Sequence, residues 1–224
     1  MKRTNTRDDH PRIAEIYNRY LGHLLQGERQ ACLEIINELI ENQVPLKSIY
    51  LQVFERSMYQ VGTLWETNKI SVATEHIATS VTESAMGLLF PIIFNAEHCG
   101  RKAIVSCVAT EYHQIGGRMV ADIFELHGWD SYFLGGNVPV TDLLRMVEDK
   151  QPDVIGLSLT LYSHLPDLLR HIHSIHNAFP DIKMLVGGQA FHWGGRDSVM
   201  NLPQTQLLDS SPLEELENFI ISHT

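Results

Sequence analysis

Cysteine is scarce in this sequence, and the three present, Cys32, Cys99 and Cys107, are widely spaced and odd in number. That excludes a paired disulfide framework and points to a reducing compartment, so the expected location is cytoplasmic. No apolar run approaches the ~18 consecutive residues that a membrane span needs. Residues 1–10 have no apolar core, which argues against a secretory signal there. Positive charge is also short, with 17 Lys and Arg against 27 Asp and Glu, a formal net charge of −10. Phosphate backbones are held by clustered cations, so direct nucleic-acid binding is not expected. The only basic cluster, Lys2, Arg3 and Arg7, lies at a terminus expected to fray. Repeats and low-complexity tracts are absent, and 44% hydrophobic with 20% charged residues is ordinary for a globular chain.

What is present over residues 10–97 is helical periodicity. Ile13, Ile16, Tyr17, Tyr20, Leu21 and Leu24 line one face; after a break at Gly27, Cys32, Leu33, Ile36, Leu39 and Ile40 line the next. Pro45 opens a third helix with Ile49, Val53, Phe54, Val61, Leu64 and Trp65 inward, and a turn at Thr67-Asn68-Lys69 leads to a fourth running to Ile92. Four amphipathic helices with short loops predict an up-down bundle. Trp65 would end one helix while Glu75 and His76 ride the early turns of the next.

Residues 97–100 read as a linker, and over 101–224 strands and helices alternate. Strands are expected at 102–108, 129–134, 153–159, 182–186 and 205–208. Helices are expected at 114–127, 141–150, 165–178, near 193–201 and at 212–222, the last opened by Asp209-Ser210-Ser211-Pro212. The predicted fold class is therefore α/β. A four-helix bundle cap precedes a flavodoxin-like or Rossmann-like, doubly wound parallel sheet of five strands.

The first strand-to-helix turn of that sheet carries Thr110-Glu111-Tyr112-His113-Gln114-Ile115-Gly116. Ligands bind at the carboxyl ends of strands in open α/β sheets. A histidine there is a candidate metal ligand, and Glu111 is placed to orient its other ring nitrogen. A solvated loop histidine is the plainer alternative. His164, His171, His173 and His176 form a second cluster; His173 and His176 have a spacing compatible with a metal pair, but no cysteine or nearby acid completes it.

Taken together, Glu111-x-His113-x-x-Gly116, then Ser158-Leu159-Thr160, then Gly187-Gly188 resemble the motifs of the cobalamin (vitamin B12)-binding domain. The resemblance implies that His113 takes the place of the cofactor's own dimethylbenzimidazole on cobalt. The displaced nucleotide tail would run into the sheet, hydrogen-bonded by Ser158, with Thr160 keeping a polar group toward it. Gly116, Gly187 and Gly188 would leave room for that tail. Tyr112, Gln114 and Ile115 come with the histidine motif, and Val138, in Asn137-Val138-Pro139, is similar to the loop beside the tail.

Trp65, Glu75 and His76, separated by residues 66–74, are similar to the cap of light-sensing B12 photoreceptors, where glutamate is also usual at the position of Glu111. This implies adenosylcobalamin as cofactor, with Trp65 over its upper side, Glu75 near the adenosyl ribose and His76 close by. A linear tetrapyrrole is possible as a second chromophore. Some members place a histidine directly after the tryptophan to capture cobalt after photolysis; this chain has Glu66 there. The expected function is a light sensor, not an enzyme, signalling through a homo-oligomer or a separate protein effector, since no DNA-binding segment precedes the helices. The rivals are a corrinoid methyl carrier of a methyltransferase system and a light-independent B12 sensor or carrier.

Overall fold

A computed structural model describes residues 10–209 and 212–223. The basic cluster at Lys2, Arg3 and Arg7, and Ser210 and Ser211 of the expected last helix start, lie outside the described residues. The chain divides into two compact units between Pro91 and Ile92.

In the first unit α1 (His10–Leu25) and α2 (Arg29–Glu41) are separated at Gly27, whose φ of +71° no helix accepts. The third helix is continuous but not uniform: α3 (Leu46–Ile49) runs through a π-helical segment, Tyr50–Glu55, into α4 (Arg56–Glu66). α5 (Val72–Gly87) starts on Ser71, whose side chain accepts the Thr74 N–H at 3.1 Å. The helix expected to reach Ile92 stops at Gly87, and α6 (Phe90–Ile93) is a separate turn. Pro91 lacks the N–H a continuous helix would need there.

Tyr20, Leu24, Ile36, Ile49, Phe54, Val61, Val81 and Leu89 form the buried interior, as the helical spacing requires. A polar seam crosses it. The Tyr20 hydroxyl and Thr82 Oγ1 lie 3.4 Å apart, and Thr82 also donates to Met58 Sδ at 3.4 Å. Ser57 Oγ, beside the π segment, is buried with no hydrogen-bond partner among the described residues.

The second unit is a five-stranded parallel sheet in the order β2-β1-β3-β4-β5. Its elements are β1 (Lys102–Cys107), α7 (Ile115–Leu126), β2 (Asp130–Phe133), α8 (Val140–Lys150), β3 (Val154–Ser158), α9 (Leu165–Ala178), β4 (Lys183–Gly187), α10 (Arg196–Val199), β5 (Thr205–Leu208) and α11 (Pro212–His223). That is the flavodoxin-like order anticipated above. β1, β3 and β4 are buried apolar runs, as a parallel sheet covered on both faces demands.

The helix expected near 193–201 shrinks to one turn, α10, because Gly194 and Gly195 hold φ of +139° and +81° just before it. The residues read as a linker are stitched to this unit: the Cys99 N–H donates to Gly128 O at 2.7 Å, and His98 Nδ1 meets Asp130 Oδ1 at 2.5 Å. Chain order reverses between β1 and β3, so their carboxyl ends flank the crevice where such sheets bind ligands. Among the described residues no helix is long and apolar enough to cross a membrane.

Candidate functional site

Glu111 is fully buried in the loop after β1, an expensive place for a carboxylate unless donors surround it. Four do. Oε1 accepts the His113 backbone N–H at 3.0 Å and meets His113 Nδ1 at 2.5 Å; Oε2 accepts the N–H groups of Thr160 (3.0 Å) and Leu161 (2.9 Å), beyond β3. Burial pushes this carboxyl upward, but the hydrogen bonds from the His113 ring and the Leu161, His113 and Thr160 amides prevail and hold its pKa at about 2.

The carboxylate is thus ionised and can only accept, so His113 Nδ1 must carry the proton. In the neutral imidazole this leaves the lone pair on Nε2, where a metal ion can bind. The His113 side chain is 45% exposed, unlike its partner. The loop therefore anchors a half-exposed imidazole to a buried charge.

The anchor is itself braced. Thr110 and Asn137 both hold left-handed backbone, with φ of +68° and +53°. The Thr110 N–H donates to Asn137 Oδ1 at 2.9 Å, the Asn137 N–H donates to Glu111 O at 2.7 Å, and Thr110 Oγ1 donates to Asp167 Oδ2 at 2.9 Å. Gly136 packs so closely that a Cβ would lie 3.0 Å from Glu111 O. Gln114, the N-cap of α7, receives the Gly136 N–H on Oε1 at 3.2 Å.

The histidine cluster does not assemble. His171 is buried, with Nδ1 2.8 Å from Asp167 O and Nε2 3.1 Å from Val138 O, and burial lowers its pKa. His164 belongs to the site instead: its Nδ1 is 3.5 Å from Glu111 Oε2 without a hydrogen bond. Sequence spacing hid this contact, which links residues far apart in the chain. Among the described residues no group of three or more His, Cys, Asp or Glu could hold a metal ion. A bare ion needs several protein ligands. A corrinoid brings its own equatorial nitrogens, so a single well-oriented imidazole fits that cofactor.

Ser158 ends β3 between Cys107 and Gly187 in register, and Thr160 contributes its N–H to Glu111. A Cβ on Gly116 would meet nothing within 4 Å, whereas one on Gly117 would press on Phe133 (3.2 Å), Cys107 and Ser158. Gly117, which sequence reasoning passed over, is thus the glycine that packs α7 on the sheet. Gly187 sits beside Leu208, and Gly188, with φ of +121°, crosses tightly over Leu159. Ile115 and Val138 are half-buried, and Tyr112 is 71% exposed.

In the helical unit Trp65, near the end of α4, is 41% exposed. Glu75 lies in the first turn of α5, where Oε1 accepts the Thr79 hydroxyl at 2.9 Å and Oε2 meets His76 Nδ1 at 2.6 Å; His76 is exposed. Glu75 and His76 therefore form one hydrogen-bonded unit.

Comparison with known proteins finds relatives for both units. Residues 101–199 match a B12 binding domain, and residues 16–89 match a second family model also described as a B12 binding domain. The chain is 27% identical over 158 residues to the HTH-type transcriptional repressor CarH of Myxococcus xanthus, covering 70% of this chain and 52% of the repressor. It thus spans about half the length of that relative. It is 24% identical to dimethylamine corrinoid protein 3 of Methanosarcina acetivorans, covering 63% of this chain and 67% of that one. Its fold is that of the Methanosarcina barkeri monomethylamine corrinoid protein, with a TM-score of 0.78, 15% identity, and coverage of 94% and 99% of the two chains.

Proposed function

With a B12 binding domain matched in each unit, this is a cobalamin-binding protein, and we propose that it works as a light sensor loaded with adenosylcobalamin. The observation that carries the binding mode is the buried Glu111 carboxylate holding His113 Nδ1 at 2.5 Å. His113 would hold cobalt through Nε2, and Glu111 would keep the ring oriented for it. Ser158 and the open space at Gly116 serve the nucleotide tail. Trp65, Glu75 and His76 serve the upper ligand, with Glu75 already oriented by Thr79 and His76.

Bound in this way, cobalamin would supply a light-labile cobalt–carbon bond. The protein's part is placement and readout. Trp65, Glu75 and His76 would hold the light-sensitive group of the cofactor, and an equilibrium between assembly states would move by whatever difference in affinity light creates. The output passes to a second copy of the chain or to a separate protein. Similarity to a transcriptional repressor supports the sensing role.

Similarity to a dimethylamine corrinoid protein favours a second reading, a corrinoid carrier for methyl transfer. The two separate on one measurement. Purified apoprotein is loaded in the dark with adenosylcobalamin, and its spectrum and hydrodynamic size are recorded before and after illumination. The sensor changes size with light. A carrier binds the corrinoid with no light-dependent change in assembly, and that result would sink the sensor reading.

A further inference from the structure

We infer that Tyr162 and Trp193 form a rigid aromatic ledge that bears on the corrinoid ring beside His113, an inference that rests on the cobalamin reading above. Large aromatics left in water are notable when they cluster. Tyr112, Tyr162 and Trp193 are 71%, 48% and 71% exposed, and they follow the carboxyl ends of β1, β3 and β4.

Tyr162 is tied to the ligand loop. The preceding residue, Leu161, donates its N–H to Glu111 Oε2, the same carboxylate that orients His113. Trp193 is tied to Tyr162 in turn. The two residues after it, Gly194 and Gly195, lie against the Tyr162 ring: Cβ atoms there would stand 3.4 and 3.3 Å from its Cε2, and one on Gly195 would also come within 2.8 Å of Leu165 Cδ2. Both glycines hold positive φ. Only glycine lets this turn close on Tyr162 so tightly.

The turn is fixed from behind as well. The Ala190 N–H donates to Leu159 O at 3.2 Å, the Trp193 N–H to Ala190 O at 3.0 Å, and Arg196 Nε to Phe191 O at 3.1 Å, while Arg196 also pairs with Asp209 at 2.9 Å. Two exposed rings on a braced backbone lose little freedom when a ligand covers them. A broad macrocycle held by His113, which shares the Glu111 carboxylate with Leu161, would fit such a surface. The buried course expected for the nucleotide tail does not fit rings this exposed.

The test is equilibrium titration with two probes, hydroxocobalamin and aquocobinamide, the second of which has the ring but no nucleotide tail. Trp193→Ala and Tyr162→Ala should each weaken both probes by roughly tenfold, with Trp193→Phe and Tyr162→Phe retaining most of the affinity. At saturation the His113-ligated spectrum should persist, and thermal melting of Trp193→Ala should match the parent because that ring is 71% exposed. Unchanged affinity for both probes would overturn the ledge, as would weakening of hydroxocobalamin alone, which would place the contact on the tail. If the parent chain bound neither probe, the cobalamin reading itself would fall, an outcome distinct from either.

Discussion

A Cβ placed on Gly188 would stand 2.2 Å from the carbonyl oxygen of Leu159, so at this point the chain crosses its own neighbouring strand end with no room to spare. Its φ of +121° adds a second reason for glycine. Gly188→Ala should therefore destabilise the sheet unit by at least about 2–3 kcal/mol, whether or not a corrinoid is present. Gly116 is the opposite case, a helical position with open space around the missing Cβ. Gly116→Ala should leave stability unchanged or slightly raised, as alanine favours helix by up to ~1 kcal/mol. Urea unfolding of both apoproteins checks the contrast. A loss of corrinoid affinity in Gly116→Ala with unchanged unfolding would mark that glycine as ligand clearance.

Glu111→Gln keeps the shape of the side chain but removes the charge that holds His113 Nδ1–H. The amide oxygen can still accept the two bonds on one side, yet the NH2 group must face two donors of its own kind on the other. Corrinoid affinity should fall by about 10- to 100-fold, the usual cost of losing a carboxylate behind a metal-bound histidine. Titration of the variant in the dark measures this; an unchanged Kd would remove Glu111 from the site.

The same carboxylate imposes a pH signature. Its pKa falls from 4.5 to about 2 on folding, so the unfolded chain takes up the proton first as pH drops. The stabilisation is complete above about pH 5 and is lost as pH falls toward 2, roughly 3 kcal/mol in all. Chemical unfolding of the parent and of Glu111→Gln between pH 6 and 3 should show the difference between them shrinking with acid. A difference independent of pH would contradict a native carboxylate.

Much of this architecture was legible because periodicity reports burial directly. The alternating apolar strands and helices of residues 102–208 led to the sheet, and Gly27 and the Thr67-Asn68-Lys69 turn led to the helix breaks. The π segment at Tyr50–Glu55 was not legible, since the buried Ile49, Val53 and Phe54 lie four and five residues apart, a spacing that either helix type satisfies. Nor was the burial of Glu111. Its donors Thr160 and Leu161 lie beyond another strand, and only the pairing of β1 with β3 brings them together. His164 escaped notice for the same reason, having been grouped with the histidines near it in sequence rather than with Glu111.

Ser57 offers a test of the bundle interior. Its hydroxyl is fully buried without a hydrogen-bond partner among the described residues, while Thr82 is bonded to Tyr20 and Met58. An unsatisfied hydroxyl carries a desolvation cost of about 1–3 kcal/mol that truncation relieves. Ser57→Ala should therefore be neutral or stabilising, and Thr82→Val destabilising by about 1 kcal/mol. A drop in melting temperature for Ser57→Ala would show that the hydroxyl has a bound partner, such as a buried water.

Asn137 is where conformation and hydrogen bonding in the ligand loop can be separated. Its φ of +53° favours Asn or Gly over other residues, and its Oδ1 takes the Thr110 N–H while its own N–H supports Glu111 O. Asn137→Gly keeps the backbone freedom and loses the Oδ1 bond; Asn137→Ala loses the bond and adds left-handed strain of roughly 1–2 kcal/mol. If the Thr110 bond is what steadies Glu111, both variants should weaken corrinoid binding by a similar factor. Asn137→Ala, which carries the added strain, should then show the lower unfolding midpoint of the two. If the backbone twist alone matters, Asn137→Gly will bind as tightly as the parent. That result would shift the anchoring of His113 from the Asn137 side chain to the amides of Thr160 and Leu161.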